Sequence, residues 1–234
     1  MSVAYNPKIV TNGLVLALDA ANPRSYPGSG IIWKDISGNN ITGILTNSPA
    51  FTTTNSGVFA FDGVNQIVDC GNPSVVNFGD GNFTVSSWFY RDVNAITNLR
   101  LLSKGAGADV VSEAGFALFG SDSSLAFVVN PSGIRPSAIA ISTTTGTPTY
   151  VTVVVERGGL MSIYKNGIFS QSTATPIGSF TGDANLCIAC NSTAAGTKNV
   201  FWDGGVYNVN LYNRALSVEE VQQNFNALRG RFGI

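Results

Sequence analysis

The sequence predicts an all-β fold of antiparallel strands, a sandwich or a barrel, closed by one short C-terminal helix. Three observations carry this reading. About a dozen short runs rich in Val, Ile, Phe and Thr are separated by Gly, Asn and Asp turns, the spacing of sandwiches and barrels. An extended run from Val151 to Arg157 turns at Gly158-Gly159 into Leu160 to Lys165 and ends on an Asn-Gly pair, Asn166-Gly167, the strongest short-range hairpin signal. Apolar residues at helical spacing are absent until Ser217.

Leu14 to Asp19 reads as the first strand, and the polar turn Ser37-Gly38-Asn39-Asn40 leads into Ile41 to Leu45. Phe59 to Phe61 passes through Asp62-Gly63 to Gln66 to Cys70. Phe83 to Tyr90 alternates hydroxyl and apolar side chains, with Phe83 and Val85 on one face. Leu101 to Lys104, Gly115 to Phe119, Leu125 to Val129 and Ala138 to Ser142 follow, then the hairpin and a late strand from Val206. In the helix, Ser217-Val218-Glu219-Glu220 reads as a capping box, with the Ser217 side chain accepting from the amide of Glu220 and the Glu220 carboxylate reaching back. Val218, Val221, Phe225 and Leu228 form the expected buried stripe, and Gly230 is the expected left-handed stop. With no linker and no repeat, residues 1–234 read as one domain, with residues 1–12 as an N-terminal arm and 217–229 as the helix.

Composition narrows the function classes. Hydrophobic residues make up 44% and charged residues 12%, so Ser, Thr, Asn and Gly must supply most of the polar surface and the chain is not a disordered one. A net charge of −1 without a basic block removes the electrostatic footprint of a nucleic-acid binder. Gly13 to Ala21 is too short to span a bilayer, so no membrane insertion is expected. Met1 to Lys8 lacks a basic and an apolar region, so synthesis in a cytoplasm without a cleaved signal is expected.

Catalytic signatures are missing. The chain has no His, which rules out Ser-His-Asp and Cys-His arrangements and a conventional four-ligand zinc site. Lys104-Gly105-Ala106-Gly107-Ala108 has the spacing of neither nucleotide-phosphate loop. Cys70, Cys187 and Cys190 are read as buried, reduced, structural thiols: Cys187-Ile188-Ala189-Cys190 has a CxxC spacing, but on a strand positions i and i+3 point to opposite faces.

Six segments resemble the laminin-G-like, concanavalin A-like lectin/glucanase β-sandwich superfamily. They are Gly13 to Asn22, Trp33-Lys34-Asp35-Ile36-Ser37-Gly38-Asn39-Asn40, Phe61-Asp62-Gly63-Val64-Asn65, Phe83 to Trp88, Tyr164-Lys165-Asn166-Gly167 and Tyr212-Asn213-Arg214-Ala215-Leu216-Ser217. The wording is similar to single-domain versions in virion proteins of tailed bacteriophages. The resemblance implies a two-sheet antiparallel jelly roll and, by analogy of fold alone, glycan binding or decoration of a virion surface.

Hydrolases of this fold take their carboxylates from a Glu-x-Asp-x-Glu strand, which the chain lacks: Glu113 and Glu156 have no acidic residue two places away, and Glu219 and Glu220 sit on the helix. A non-enzymatic protein is therefore expected. Calcium-holding relatives carry acidic residues where this chain has Gln66-Ile67 and Tyr207-Asn208, so no cofactor is expected; Asp62, Asp69 and Asp203 are the carboxylates left to a calcium ion, and each also suits turn or edge capping. Trp33 and Trp202, beside glycine-rich turns, are the candidate sugar-stacking residues, set against a core role; Trp88 reads as core, and Tyr5, Tyr26 and Tyr90 are open to an interface role. The resulting expectation is a virion-surface protein, as capsid decoration or in an adhesion appendage such as a tail fibre. Its partners would be other virion proteins, host-surface glycans and further copies of itself. A freestanding, calcium-assisted carbohydrate-binding module is the alternative.

Overall fold

The computed structural model describes residues 8–92, 99–105, 113–121, 123–131 and 137–234. In chain order the strands are β1 (Leu14–Asp19), β2 (Ile32–Lys34), β3 (Thr42–Thr46), β4 (Ala50–Thr52), β5 (Val58–Asp62) and β6 (Ile67–Asp69). They continue through β7 (Phe83–Arg91), β8 (Leu99–Lys104), β9 (Gly115–Ser121), β10 (Ser124–Asn130), β11 (Ser137–Ser142) and β12 (Thr149–Val155). The last are β13 (Leu160–Lys165), β14 (Ile168–Ala174), β15 (Leu186–Ile188), β16 (Asn191–Ser192), β17 (Lys198–Asn199) and β18 (Asp203–Tyr212), followed by α1 (Val218–Leu228).

Two antiparallel sheets form the sandwich. The first runs β14-β13-β12-β7-β18-β5-β4, and the second β11-β10-β9-β8-β15-β6-β3-β2. Strand β18 organises the first sheet: β7 runs along one edge, while β5 pairs with residues 203–206 and β1 with residues 208–212 on the other. The Asn-Gly expectation holds at the β13–β14 turn, where Asn166 (φ 51°) and Gly167 (φ 75°) both adopt the left-handed conformation that a two-residue hairpin needs. β2, β4, β14 and the small β16–β17 pair were not foreseen; they are short or, like β14, exposed along most of their length, so they carry little alternation to read.

Between the sheets lies one core. Phe83, Phe116, Phe127 and Phe180 are fully buried there, with Phe78 stacked on Phe83 at 4.6 Å between ring centres. Each such ring contributes about 1.5–3 kcal/mol by leaving water. One end of the core is closed by Lys104, whose ammonium donates to Asn72 Oδ1 at 2.6 Å, to the Ala184 carbonyl at 2.9 Å and to the Gly182 carbonyl at 3.1 Å. With carbonyl and amide oxygens around it and no salt bridge among the described residues, burial brings its pKa down to about 8.

The helix covers the outer face of the first sheet. Its capping box is as expected, with the Ser217 side chain accepting from Glu220 N at 3.3 Å and Ser217 N donating back to the Glu220 carboxylate at 2.9 Å. Arg214 adds a bidentate pair to that carboxylate at 2.7 and 2.6 Å. Two expectations need correction. Val218 is 46% exposed, and Asn224 takes its place in the buried stripe because its amide is used: Oδ1 accepts from Val10 N at 2.8 Å and Nδ2 donates to the Tyr212 hydroxyl at 3.0 Å. The left-handed residue is Gly233 (φ 70°), not Gly230, because a 3-10 turn, Arg229–Phe232, extends the helix so that Phe232 can stack on Trp88 at 3.9 Å. Of the expected arm, Lys8 to Asn12 are described, and Val10 packs with Tyr212, Leu216 and Val221. Tyr5 lies outside the described residues.

Candidate functional site

The two tryptophans singled out by sequence have no exposed surface. Trp33 is the inward residue of β2 and packs against Phe59 at 4.8 Å. Trp202 meets Phe89 edge-on at 5.9 Å, in a space left by Gly120, where a Cβ would come within 2.9 Å of the indole. Neither offers a face to a ligand, so both belong to the core. The glycines of the turns beside them do not clear space for the indoles: a Cβ at Gly28 or Gly30 would meet nothing within 4 Å, and one at Gly204 or Gly205 would meet Tyr90. Tyr26 is also buried, stacked edge-on with Phe59 at 4.7 Å.

Tyr90 is different. It lies on the outer face of the first sheet, half-buried, in a cleft of about 250 Å³ lined by Thr52, Thr54, Asn55, Tyr207, Gly146 and Pro148, with Val58 at its floor. The ring rests directly on the backbone of Gly205, its register partner across β7 and β18; a Cβ there would fall 1.9 Å from Tyr90 Cε1, so only glycine lets the ring lie flat. Tyr207 joins it because the β7–β18 ladder carries a bulge between Val206 and Asn208, which turns the extra residue outward. Asn208 heals the bulge: its Oδ1 accepts from Trp88 N at 2.8 Å, and its carbonyl accepts from the Ser87 hydroxyl at 2.7 Å. Thus the Tyr207-Asn208 pair supplies an aromatic wall and a backbone plug.

The cleft is preorganised. The two tyrosine rings are 6.0 Å apart, Phe232 backs Tyr207 edge-on at 4.9 Å, and Asn55 Nδ2 donates to the Tyr207 hydroxyl at 3.2 Å. Asn55 is held in position by a left-handed backbone (φ 49°) inside the turn Thr54–Ser56. Gly146 N donates to the Arg91 carbonyl at 2.7 Å and fixes the opposite lip. Burial raises the pKa of both phenols, so each remains a neutral hydrogen-bonding hydroxyl at physiological pH. Three other clefts lack this combination of aromatic face and polar edge: one is lined mainly by Pro, Ser, Ile and Gly around Pro23–Lys34, one by small residues at the β11–β14 seam, and one around Gly182 by Glu113, Asp183, Thr181 and alanines, with no aromatic ring.

The candidate calcium ligands divide. Asp62 and Asp203 are register partners at the end of β5 and the start of β18. Partial burial, then the charges of Asp92 and Asp62, raise the Asp203 pKa. Asp62 closes its own turn by accepting from Val64 N at 2.9 Å. Asp69 is elsewhere, on β6, holding Gly71 N at 2.9 Å, the Asn185 amide at 3.0 Å and Lys198 at 3.2 Å. Among the described residues, no three His, Cys, Asp or Glu side chains are grouped to hold a metal ion. The described residues likewise include no helix long and apolar enough to cross a membrane.

The cysteine expectation is corrected in one respect. All three thiols are buried and free, but Ala189 is left-handed (φ 66°) and breaks the strand. Cys187 and Cys190 therefore lie in one cluster, with Ile67 and Phe201, rather than on opposite faces.

A family model described as the concanavalin A-like lectin/glucanases superfamily matches residues 62–222. No curated protein matches the chain by sequence. Among solved structures, the binding domain of Paraclostridial Mosquitocidal Protein 1 superposes with a TM-score of 0.73 at 17% identity, covering 93% of this chain and 52% of that one. The binding domain of botulinum neurotoxin DC, solved in complex with SialylT, gives 0.70 at 16% identity, again covering 93% of this chain and 52% of that one. A structure of botulinum neurotoxin type C, whose cell entry depends on interaction with two ganglioside molecules, gives 0.71 at 16% identity with coverage of 93% and 52%. The chain thus spans about half the length of each of these structures, and the likeness is one of fold.

Proposed function

The chain belongs to the concanavalin A-like lectin/glucanases superfamily, and from that premise we propose that it is a non-catalytic recognition module whose Tyr90–Tyr207 cleft binds a glycan. One observation carries the reading: a half-buried aromatic ring lies flat beside a fixed Asn amide and two Thr hydroxyls, in a cleft of about 250 Å³. A sugar ring has an apolar face and an equatorial rim of hydroxyls. Tyr90 offers the flat surface for the first, and Asn55, Thr52, Thr54 and the tyrosine hydroxyls offer partners for the second. The SialylT complex and the ganglioside interaction named for toxins of similar fold agree with recognition of a glycan.

The setting on a virion surface, as capsid decoration or within a tail fibre or other adhesion appendage, is part of the proposal. It rests on the sequence resemblance and on a surface rich in Ser, Thr and Asn with few charges. The chain should then sediment with particles at a fixed copy number, and its absence from purified particles would remove that part of the reading.

Glycan binding is tested on a glycan array followed by calorimetry with and without a calcium chelator. Tyr90→Ala and Asn55→Ala should each weaken binding about tenfold or more, while Tyr90→Phe, which keeps the flat ring, should lose less. Gly205→Ala should resemble Tyr90→Ala by lifting the ring off the sheet. Full binding by a folded Tyr90→Ala variant would refute the cleft as the site. A wild-type chain that binds no glycan but co-purifies with particles would leave the structural role alone.

A further inference from the structure

Cys187 and Cys190 have a chemistry that glycan recognition does not use. The left-handed turn at Ala189 places Cys190 in one buried cluster with Cys187. From the other side, Lys198 Nζ donates to Cys187 Sγ at 2.9 Å, and the same ammonium holds Ser192 Oγ at 2.8 Å and the Asp69 carboxylate at 3.2 Å. Ser103 locks the frame, donating to the Cys190 carbonyl at 2.9 Å and accepting from Ser192 N at 3.0 Å. A cation thus bears on the Cys187 sulfur, with Cys190 in the same buried cluster.

We propose that Cys187 and Cys190 form an oxidative modification site, closing reversibly into a disulfide on meeting a small hydroperoxide, with Lys198 holding Cys187 as the attacking thiolate. Both sulfurs are fully buried, so no reagent reaches them in the closed structure; peroxide enters where the cover opens beside Lys198 and Asp69, whose side chains are 20% and 27% exposed. The Cys187 thiolate attacks one peroxide oxygen, the O–O bond breaks, and Cys187 becomes a sulfenic acid while hydroxide leaves as water with a proton from Lys198. Cys190 then loses its proton and attacks the Cys187 sulfur; the S–S bond forms, the S–O bond breaks, and the second hydroxide leaves as water. Two electrons pass from the two sulfurs to the peroxide. One proton comes from Cys190 and one from solvent through Lys198, and an external thiol that reaches the disulfide when the same cover opens reverses the reaction by exchange.

The directions of the acidities agree with this assignment. The Cys190 hydrogen bond, opposed by burial and helped by Lys198, lowers the pKa of Cys187, whereas Cys190 is pushed up, as a proton donor to its neighbour would be. Cys70 faces the inter-sheet core, where burial and then the neighbouring Cys187 and carboxylates push its thiol up, so it is the internal control.

The test treats the reduced full-length chain with hydrogen peroxide, then unfolds and alkylates it for mass spectrometry. The expected product carries a Cys187–Cys190 disulfide, an alkylated Cys70, and no link after dithiothreitol. Cys190→Ser should stop at a Cys187 sulfenic acid that dimedone labels. Lys198→Met, checked for native circular dichroism, should react about tenfold more slowly or worse. Full alkylation of Cys187 and Cys190 after peroxide would overturn the proposal, as would oxidation of Cys70 at an equal rate or a folded Lys198→Met variant that reacts at the wild-type rate.

Discussion

The two outer faces of the sandwich are sealed in opposite ways. On the first sheet, α1 and the turn after it press aromatic rings onto the strands: Trp88 is stacked with Phe232 at 3.9 Å and Phe225 at 5.7 Å, with Tyr150 and Tyr207 beside it. On the second sheet, the β16–β17 hairpin covers a cluster of charge, thiol and hydroxyl, with Lys198 joined to Asp69, Cys187 and Ser192. The first seal depends on area removed from water and not on ionisation. The second depends on geometry and protonation, because a half-buried charge is tolerated only while its partners stay in reach. The difference matches the proposed roles: a rigid apolar support suits a binding cleft at its edge, and a polar cover of two short strands suits a site that must exchange protons with solvent.

The largest effect should come from breaking the apolar seal. Trp88→Ala removes the ring that Phe225, Phe232 and Tyr150 all contact, and should cost about 3–5 kcal/mol in denaturant unfolding. It should also abolish glycan binding, because Phe232 supports Tyr207 in the cleft. A loss below about 1 kcal/mol would mean that the helix is held mainly by its polar contacts.

What could be read in sequence divides along the same line. Periodicity and capping chemistry are local, so β1, the Asn166-Gly167 turn and the Ser217–Glu220 box were legible at residue level. The superfamily and its two-sheet architecture were legible from the order of the matching segments. The cleft was not. Tyr90 could be named as an interface candidate, but its partnership with Tyr207 requires a one-residue bulge in β18 and a glycine at position 205, and neither leaves a periodic trace. The tryptophans stand beside glycine-rich turns in sequence, but the glycine that makes room for Trp202 is Gly120 on a different strand, which no local pattern reveals. The thiol pair was hidden by Ala189, since an alanine in a left-handed conformation is invisible to any strand-alternation argument.

A smaller effect is expected at the polar seal. Lys198→Met leaves Asp69 with Gly71 N and the Asn185 amide, and should cost about 1 kcal/mol, discounted for the partial exposure of the pair. The loss should appear as faster hydrogen exchange at Ser192 and in the β16–β17 hairpin, with the helix amides unchanged. Exchange that rises equally on both faces would show that the two seals are coupled.

The smallest effect is where the faces should behave alike. Each cover is also pinned by one carboxylate whose pKa is lowered in the fold. For Glu220 the Arg214 hydrogen bonds are the leading cause; for Asp69, burial works in the opposite direction and is outweighed by Gly71 N, Asn185 and Lys198. A folded pKa below the unfolded one means that the unfolded chain binds more protons, so this stability is present above pH of about 4.5 and is lost as pH falls through the folded values. Acid should therefore loosen the last stretch of both covers, with Glu220→Gln flattening the pH dependence of helix exchange and Asp69→Asn that of the β16–β17 hairpin. The apolar contacts of Trp88 do not titrate, so the helix should stay docked under acid that has already opened the hairpin. If the helix leaves first, the Arg214–Glu220 pair rather than the aromatic stack is what holds it.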